Sequence, residues 1–214
     1  YTASHDLQSP LRTISGLISL LEKKKFIEPG SEEEKLFSLI KSNSNQMRLM
    51  VSDLLEYSKV IDNQLDYSPI YCHEVCQQAI DLLRDDVEKT QAVFEISEMP
   101  VIMGSKSQLV RLFKNLFENS IKYRSDATPV IRVTQNTTKD TYDILVSDNG
   151  IGFDKAYATA IFSFMKRLHS QEEIPGTGIG LSACKRIMKN HGGSISAESE
   201  PGAGSVFKLQ FLRK

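Results

Sequence analysis

The chain has 214 residues, 40% hydrophobic and 25% charged, a globular balance that excludes an intrinsically disordered or collagen-like chain. Lys and Arg total 26 against 27 for Asp and Glu, so the net charge is −1 and the basic excess expected of a nucleic-acid binder is absent. No apolar run approaches the roughly 18 residues that span a bilayer.

Taken in chain order, the first pattern is helical. Leu7, Leu11, Ile14, Ile18 and Leu21 recur at steps of four, three, four and three, an a/d seam. At about 100° per residue the seam centres near 340° and His5 falls roughly 160° away. The imidazole is therefore expected on the solvent side, with Ser9 and Arg12 on its face and Asp6 next in sequence. Pro10 lacks a backbone N–H and should bend the helix one turn later. Tyr1 already lies in the helical pattern and is not Met, so we expect a fragment of a longer protein.

Pro29-Gly30 breaks the pattern, and Ser31 with Glu34 reads as a capping box opening a second helix. There Leu36, Asn43, Met50 and Tyr57 form one seven-residue series, and Ile40, Met47, Leu54 and Ile61 another. The two helices predict an antiparallel hairpin over 1–66. Such a hairpin buries too little to stand alone, and two copies pairing into a four-helix bundle would solve that. Asn43 on the seam either fixes register or is a tolerated polar position.

Residues 67–214 change character. Pattern and turn signals predict an amphipathic helix over 73–89, strands over 92–97 and 101–103, and a helix over 105–123. An antiparallel pair follows at 130–136 and 142–147, then a Gly-rich irregular stretch over 149–178. A helix over 179–190 ends at Gly192-Gly193, and a hairpin over 194–199 and 205–211 turns at Pro201, Gly202 and Gly204. The expected class is α+β: a helical hairpin, then an α/β sandwich with helices on one face of a sheet. Cys72, Cys76 and Cys184 lack paired spacing and read as buried thiols of a reducing compartment.

Four short motifs carry chemistry. His5 followed by Asp6 offers an imidazole whose neutral form carries a free lone pair, beside a carboxylate able to orient it, or else an ordinary surface histidine. Asn115 and Asn119, four apart on one helix face, offer neutral oxygens suited to Mg²⁺ beside phosphate, with Lys122 and Tyr123 close by; alone they also read as solvent-facing amides. Asp148-Asn149-Gly150-Ile151-Gly152 ends a strand with a carboxylate able to accept an exocyclic amine such as adenine's, although Asn-Gly is equally a turn signal. Gly176-Thr177-Gly178-Ile179-Gly180-Leu181 opens a helix and would present N–H donors to phosphate. It is neither a dinucleotide fingerprint nor a Walker loop, and the eukaryotic-kinase motifs are absent.

In this order the motifs closely resemble those of the catalytic core of bacterial sensor histidine kinases, over essentially the whole chain. Ser4-His5-Asp6-Leu7-Gln8-Ser9-Pro10-Leu11 looks like the H-box, the segment from Asn115 like the N-box, Asp148–Gly152 like the G1 box and Gly176–Gly180 like the G2 box. Phe162 and Phe164 look like the F-box, and Lys166-Arg167-Leu168-His169 resembles the ATP lid of phytochrome-like and PAS-linked kinases. The resemblance implies a dimerisation and phosphotransfer domain over 1–66 and a Bergerat-type ATP-binding domain over 67–214. It implies that His5 attacks the γ-phosphorus of Mg-ATP with Asp6 as base or orienter, that Asn115 and Asn119 hold Mg²⁺, and that Asp148 reads adenine. Gly150, Gly152, Lys122, Tyr123, Lys166, Arg167, Gly176, Thr177, Gly178, Gly180 and Leu181 would complete the nucleotide site. The implied partners are a second copy, a response-regulator receiver domain and an upstream sensor domain, with no nucleic acid. The implied location is cytoplasmic, with the parent protein open to membrane anchoring.

Two departures stand out. Ser9 occupies the place of the Thr or Asn associated with phosphatase activity, and Ser120 follows Asn119 where Ala is common. Asn115 stands where gyrases and Hsp90-like proteins of this ATP fold carry a water-activating Glu, which counts against an ATP hydrolase. A degenerate, non-catalytic dimerisation module is the other reading, and the intact His5, Asn119, Asp148 and glycine boxes count against it.

Overall fold

A computed structural model describes residues 2–23, 30–62, 67–168, 174 and 176–213, with the side chains of 2–9, 11, 23, 56 and 59–62 outside the description. The chain divides into two compact units, Tyr1–Lys59 and Val60–Lys214.

In the first unit, α1 (Thr2–Lys23) runs on through Pro10, whose ring gives the Asp6 carbonyl no helical donor. His5 and Asp6 lie near its start, and the expected outward direction of the His5 side chain falls outside the described side chains. The helix α2 (Glu32–Asp62) opens on the anticipated capping box. Ser31 Oγ accepts the Glu34 N–H at 3.1 Å, and the Glu34 carboxylate accepts the Gly30 N–H at 2.6 Å, one residue ahead of the usual donor. The Ser15 and Ser44 hydroxyls meet at 3.4 Å and Lys41 pairs with Glu22. Rising numbers on α1 thus meet falling numbers on α2, and the helices are antiparallel. Ile18 and Ser44 are the buried side chains described here, whereas Leu17, Leu20, Leu36, Leu39 and Ile40 are each more than half exposed. Asn43 donates its amide to the Leu39 carbonyl of its own helix at 2.8 Å. No described helix is long and apolar enough to cross a membrane.

The second unit is a helix-on-sheet layer. A strand the sequence reading missed, β1 (Ser68–Tyr71), pairs antiparallel with β3 (Val101–Gly104). The amphipathic stretch over 73–89 is two helices, α3 (Cys72–Asp81) and α4 (Arg84–Thr90). The break at Leu82-Leu83 turns Leu83 into the core and leaves Leu82 in solvent. The strands β2 (Val93–Ile96), β4 (Val130–Thr137), β5 (Thr141–Asp148), β7 (Ser205–Leu212) and β6 (Ser194–Ser199) form the main sheet in the order β2-β4-β5-β7-β6. β2 joins β4 in parallel and every other pairing in it is antiparallel.

Strand alternation sends Ile131, Val133, Ile144, Val146, Phe207, Leu209 and Phe211 into the core. The opposite face carries the Glu95–Arg132 pair and Asp143, which is held by Lys208, Gln210 and Thr141. Over the apolar face lie α3, α5 (Lys106–Lys122) and α6 (Gly180–Asn190). Leu109, Leu112, Phe113, Leu116 and Phe117 of α5 are completely buried, and Phe117 meets Phe94 edge-on at 5.0 Å. All three cysteines are free and buried as anticipated, with burial pushing the Cys72 and Cys184 thiols up to about 12.

Candidate functional site

The α5 register that buries its apolar arc leaves Asn115, Asn119 and Lys122 on one flank, within about 60° of each other. That flank faces the start of α6. Asn115 Nδ2 donates to the Gly180 carbonyl at 3.3 Å, and Gly180 lies in ordinary contact with the Asn115 side chain. Lys122 reaches Gly176 so closely that a Cβ there would stand 2.2 Å from Nζ. Asn119 is half-buried and its carboxamide makes no hydrogen bond with a described residue. α6 starts at Gly180 with no side-chain cap, so its first-turn N–H groups keep their donor capacity beside these side chains.

The carboxylate expected to read a base is Asp148, at the end of β5. Its Oδ1 accepts the N–H of Gly150 at 2.9 Å and of Ser205 at 3.2 Å, and its Oδ2 lies 3.2 Å from the Ser120 hydroxyl. Burial raises its carboxyl above the usual range, and these three hydrogen bonds pull it partly back. No described charge acts on it. The strand end is thus a desolvated acceptor held by neutral donors.

The glycines after it answer to the chain's own backbone. A Cβ at Gly150 would stand 2.4 Å from the Tyr123 carbonyl, which also accepts the Ile151 N–H at 2.9 Å. Gly152, at φ +63°, lies against the Glu200 carbonyl, where a Cβ would come to 2.1 Å. The base-approach role expected for these two glycines is therefore joined by a packing role. Asn149 turns its side chain to Val130 N and Thr128 O, closing the turn before β4.

Several supports come from segments the motif reading passed over. The Ser199 hydroxyl accepts the Phe153 N–H at 2.9 Å, donates to the Gly204 carbonyl at 2.7 Å and meets the Ser205 hydroxyl at 3.1 Å. Gly202 N donates to the Ile151 carbonyl at 2.7 Å. The β6–β7 turn is therefore the floor of the Asp148 loop. Its glycines were legible as a turn, but nothing local announced what the turn would hold.

On the other side, Gly178 packs on the backbone of Met165 and Lys166 and on the Arg167 side chain, and Arg167 Nη2 donates to the Ile174 carbonyl at 2.6 Å. Arg167 also acts on Tyr123, whose hydroxyl burial holds above its ordinary range. Thr177 Oγ1 accepts the Ile179 N–H at 3.4 Å, and Leu181 packs against the core. Lys166 is exposed, Phe162 is buried edge-on to Phe207, and Phe164 is exposed. His169 lies outside the described residues. Asn119, Lys122, Asp148, Arg167 and the 176–180 segment, distant in sequence, thus gather around α5 and the start of α6. No cluster of three or more His, Cys, Asp or Glu side chains able to hold a metal occurs among the described residues.

Comparison with known proteins gives the family. The family model described as "Histidine kinase-, DNA gyrase B-, and HSP90-like ATPase" matches residues 104–214, and "His Kinase A (phospho-acceptor) domain" matches residues 1–63. The phytochrome-like protein Cph1 of Synechocystis is 36% identical over 97% of this chain, and the adaptive-response sensory kinase SasA of Crocosphaera subtropica is 29% identical over 95%. The chain spans 28% of the length of the first and 56% of the second. Full-length ShkA, solved in complex with AMPPNP, matches 98% of this chain, which covers 44% of it, with TM-score 0.71 and 20% identity. Histidine kinase ThkA, solved in complex with the response regulator TrrA, matches the whole chain, which covers 60% of it, with TM-score 0.67 and 20% identity.

Proposed function

Since the chain belongs to the histidine kinase-, DNA gyrase B- and HSP90-like ATPase family and carries a His Kinase A phospho-acceptor domain ahead of its ATPase part, we propose that it is the core of a cytoplasmic two-component sensor histidine kinase. The observation that carries this reading is the gathering of Asn119, Lys122, Asp148 and Gly176–Gly180 at one place in a chain that also bears His5 on a phospho-acceptor helix.

ATP is the phosphoryl donor. Its adenine amine donates to Asp148, and its phosphates take the N–H groups at the start of α6 with the Lys122 ammonium alongside. Lys166 and Arg167 lie toward the same phosphates from the lid side. The unpartnered Asn119 carboxamide fits a hard cation held jointly with phosphate oxygens, and Asn115 stands one turn away. Mg²⁺ there would neutralise phosphate charge. The site itself positions and screens the phosphates, and the covalent work falls to the acceptor.

A ring nitrogen of His5 attacks the γ-phosphorus, the bond to the bridging oxygen of ADP breaks, and ADP leaves. Asp6 orients the ring or takes its proton. The phosphoryl group then passes to an aspartate of a response-regulator receiver domain. Asn115, an amide, cannot take a proton from water at the place where hydrolytic relatives carry a carboxylate. Residues 1–66 supply dimerisation and phosphotransfer, residues 67–214 the ATP-binding part, and an upstream sensor domain sets the activity.

Incubation with γ-labelled ATP tests the reading. The expected product is protein-bound label, labile to acid and stable to base, that disappears in His5→Gln while nucleotide binding persists. Label that survives in His5→Gln would sink it.

A further inference from the structure

Ser120 lies on α5, buried against the end of β5, yet carries a hydroxyl. That hydroxyl has one proton and two acceptors in reach, the Leu116 carbonyl at 3.1 Å and Asp148 Oδ2 at 3.2 Å. The Leu116 carbonyl lies four residues back along α5 and already belongs to the helical hydrogen-bond ladder. In its ionised form the carboxylate is the stronger acceptor, since charge-assisted hydrogen bonds are about twice as strong as neutral ones. Asp148 therefore draws the proton.

The consequence lies in acceptor counting. A carboxylate offers about four acceptor positions. Backbone N–H groups of Gly150 and Ser205 occupy Oδ1 and so fix the plane of the group. Ser120 takes one position on Oδ2 and leaves a single direction open. Without the hydroxyl, Oδ2 would keep two open positions in a desolvated place and lose the donor that favours its charged form.

We propose that Ser120 is a positioning residue for base recognition: by holding one side of Asp148 Oδ2, it leaves that oxygen one acceptor direction, aimed at the exocyclic amine of adenine. This inference rests on the adenine role assigned to Asp148 above. It predicts that Ser120 acts on one hydrogen bond of the ligand and leaves the phosphate contacts alone.

The test compares ATP with purine riboside triphosphate, which lacks the 6-amino group, in the full chain and in Ser120→Ala. Dissociation constants are read by titration calorimetry, with thermal melting to establish that both proteins are folded. Wild type should favour ATP, and Ser120→Ala should shrink that preference about fivefold, near the weight of one net hydrogen bond, while affinity for purine riboside triphosphate stays unchanged. Equal losses for both nucleotides, or an unchanged preference, would overturn the role of Ser120 and leave the reading of Asp148 standing. A wild-type protein that bound the two nucleotides equally would overturn the adenine reading itself, and this inference with it.

Discussion

His191 shows how one side chain ties distant segments and makes stability depend on pH. Its Nε2 accepts the Ser105 N–H at 3.0 Å, so the ring proton resides on Nδ1, which donates to the Ile187 carbonyl at 2.8 Å. Tyr67 and Phe211 pack on the ring, and Gly104 lies against it. Burial pushes its pKa below the ordinary value, and the hydrogen bond to Ile187 restores part of the difference. The unfolded chain therefore takes up a proton first as pH falls through about 6.5. Stability contributed by the neutral ring is present above that pH and is lost as pH falls toward the folded pKa. The urea midpoint should drop between about pH 7.5 and about pH 5.5, and drop less in His191→Gln, which starts about 1 kcal/mol or more lower. From sequence the residue read as a helix terminus beside two glycines. Its buried role depends on Ser105, 86 positions away, and no local pattern carries such a contact.

At the scale of elements, periodicity found most helices and strands, and two of the differences have plain physical causes. The stretch over 73–89 is continuous as a pattern, but Leu83 must turn inward, and the chain breaks there to allow it. β1 is four residues long and exists through its partner β3, so it had too few residues to register as alternation. The β6–β7 turn offers a sharper test. Gly202 and Gly204 both have φ near +80°, but a Cβ at Gly202 meets nothing within 4 Å, whereas one at Gly204 would stand 2.0 Å from the Asp148 carbonyl. Gly202→Ala should cost only the left-handed backbone penalty, about 1–2 kcal/mol. Gly204→Ala should cost more than that and also weaken ATP binding several-fold, because the Asp148 loop must move. Thermal unfolding together with nucleotide titration separates the two variants, and equal effects would mean that the turn does not support the site.

For the molecule as a whole, the first unit raises the question of what covers its apolar side. Leu36, Leu39, Ile40 and Met47 are exposed, while among the described side chains of this unit Ile18 and Ser44 are the buried ones. A second copy supplying two more helices is the partner proposed here, and Ile40→Glu would then place an unpaired charge in the seam, costing several kcal/mol. Sedimentation velocity should show wild type near twice the chain mass and Ile40→Glu near one chain mass at micromolar concentration. The antiparallel helix pair was readable because helical spacing is local. The proposed nucleotide site was readable as three motifs, but not as Ser120, Ser199 and Ser205 gathered beneath Asp148, since serines carry no signature until the sheet closes. That closure sets an order on biosynthesis. β7 lies inside the sheet between β5 and β6, and its first residue supplies an N–H to Asp148. A nascent chain emerging from the ribosome with the segments 115–123, 148–152 and 176–180 already complete still lacks the strand that supplies the Ser205 N–H to Asp148. On the reading proposed for Asp148, a stop codon upstream of residues 194–212 should leave a polypeptide that bears every motif but lacks the strand that holds this carboxylate, and nucleotide titration should find its ATP binding lost.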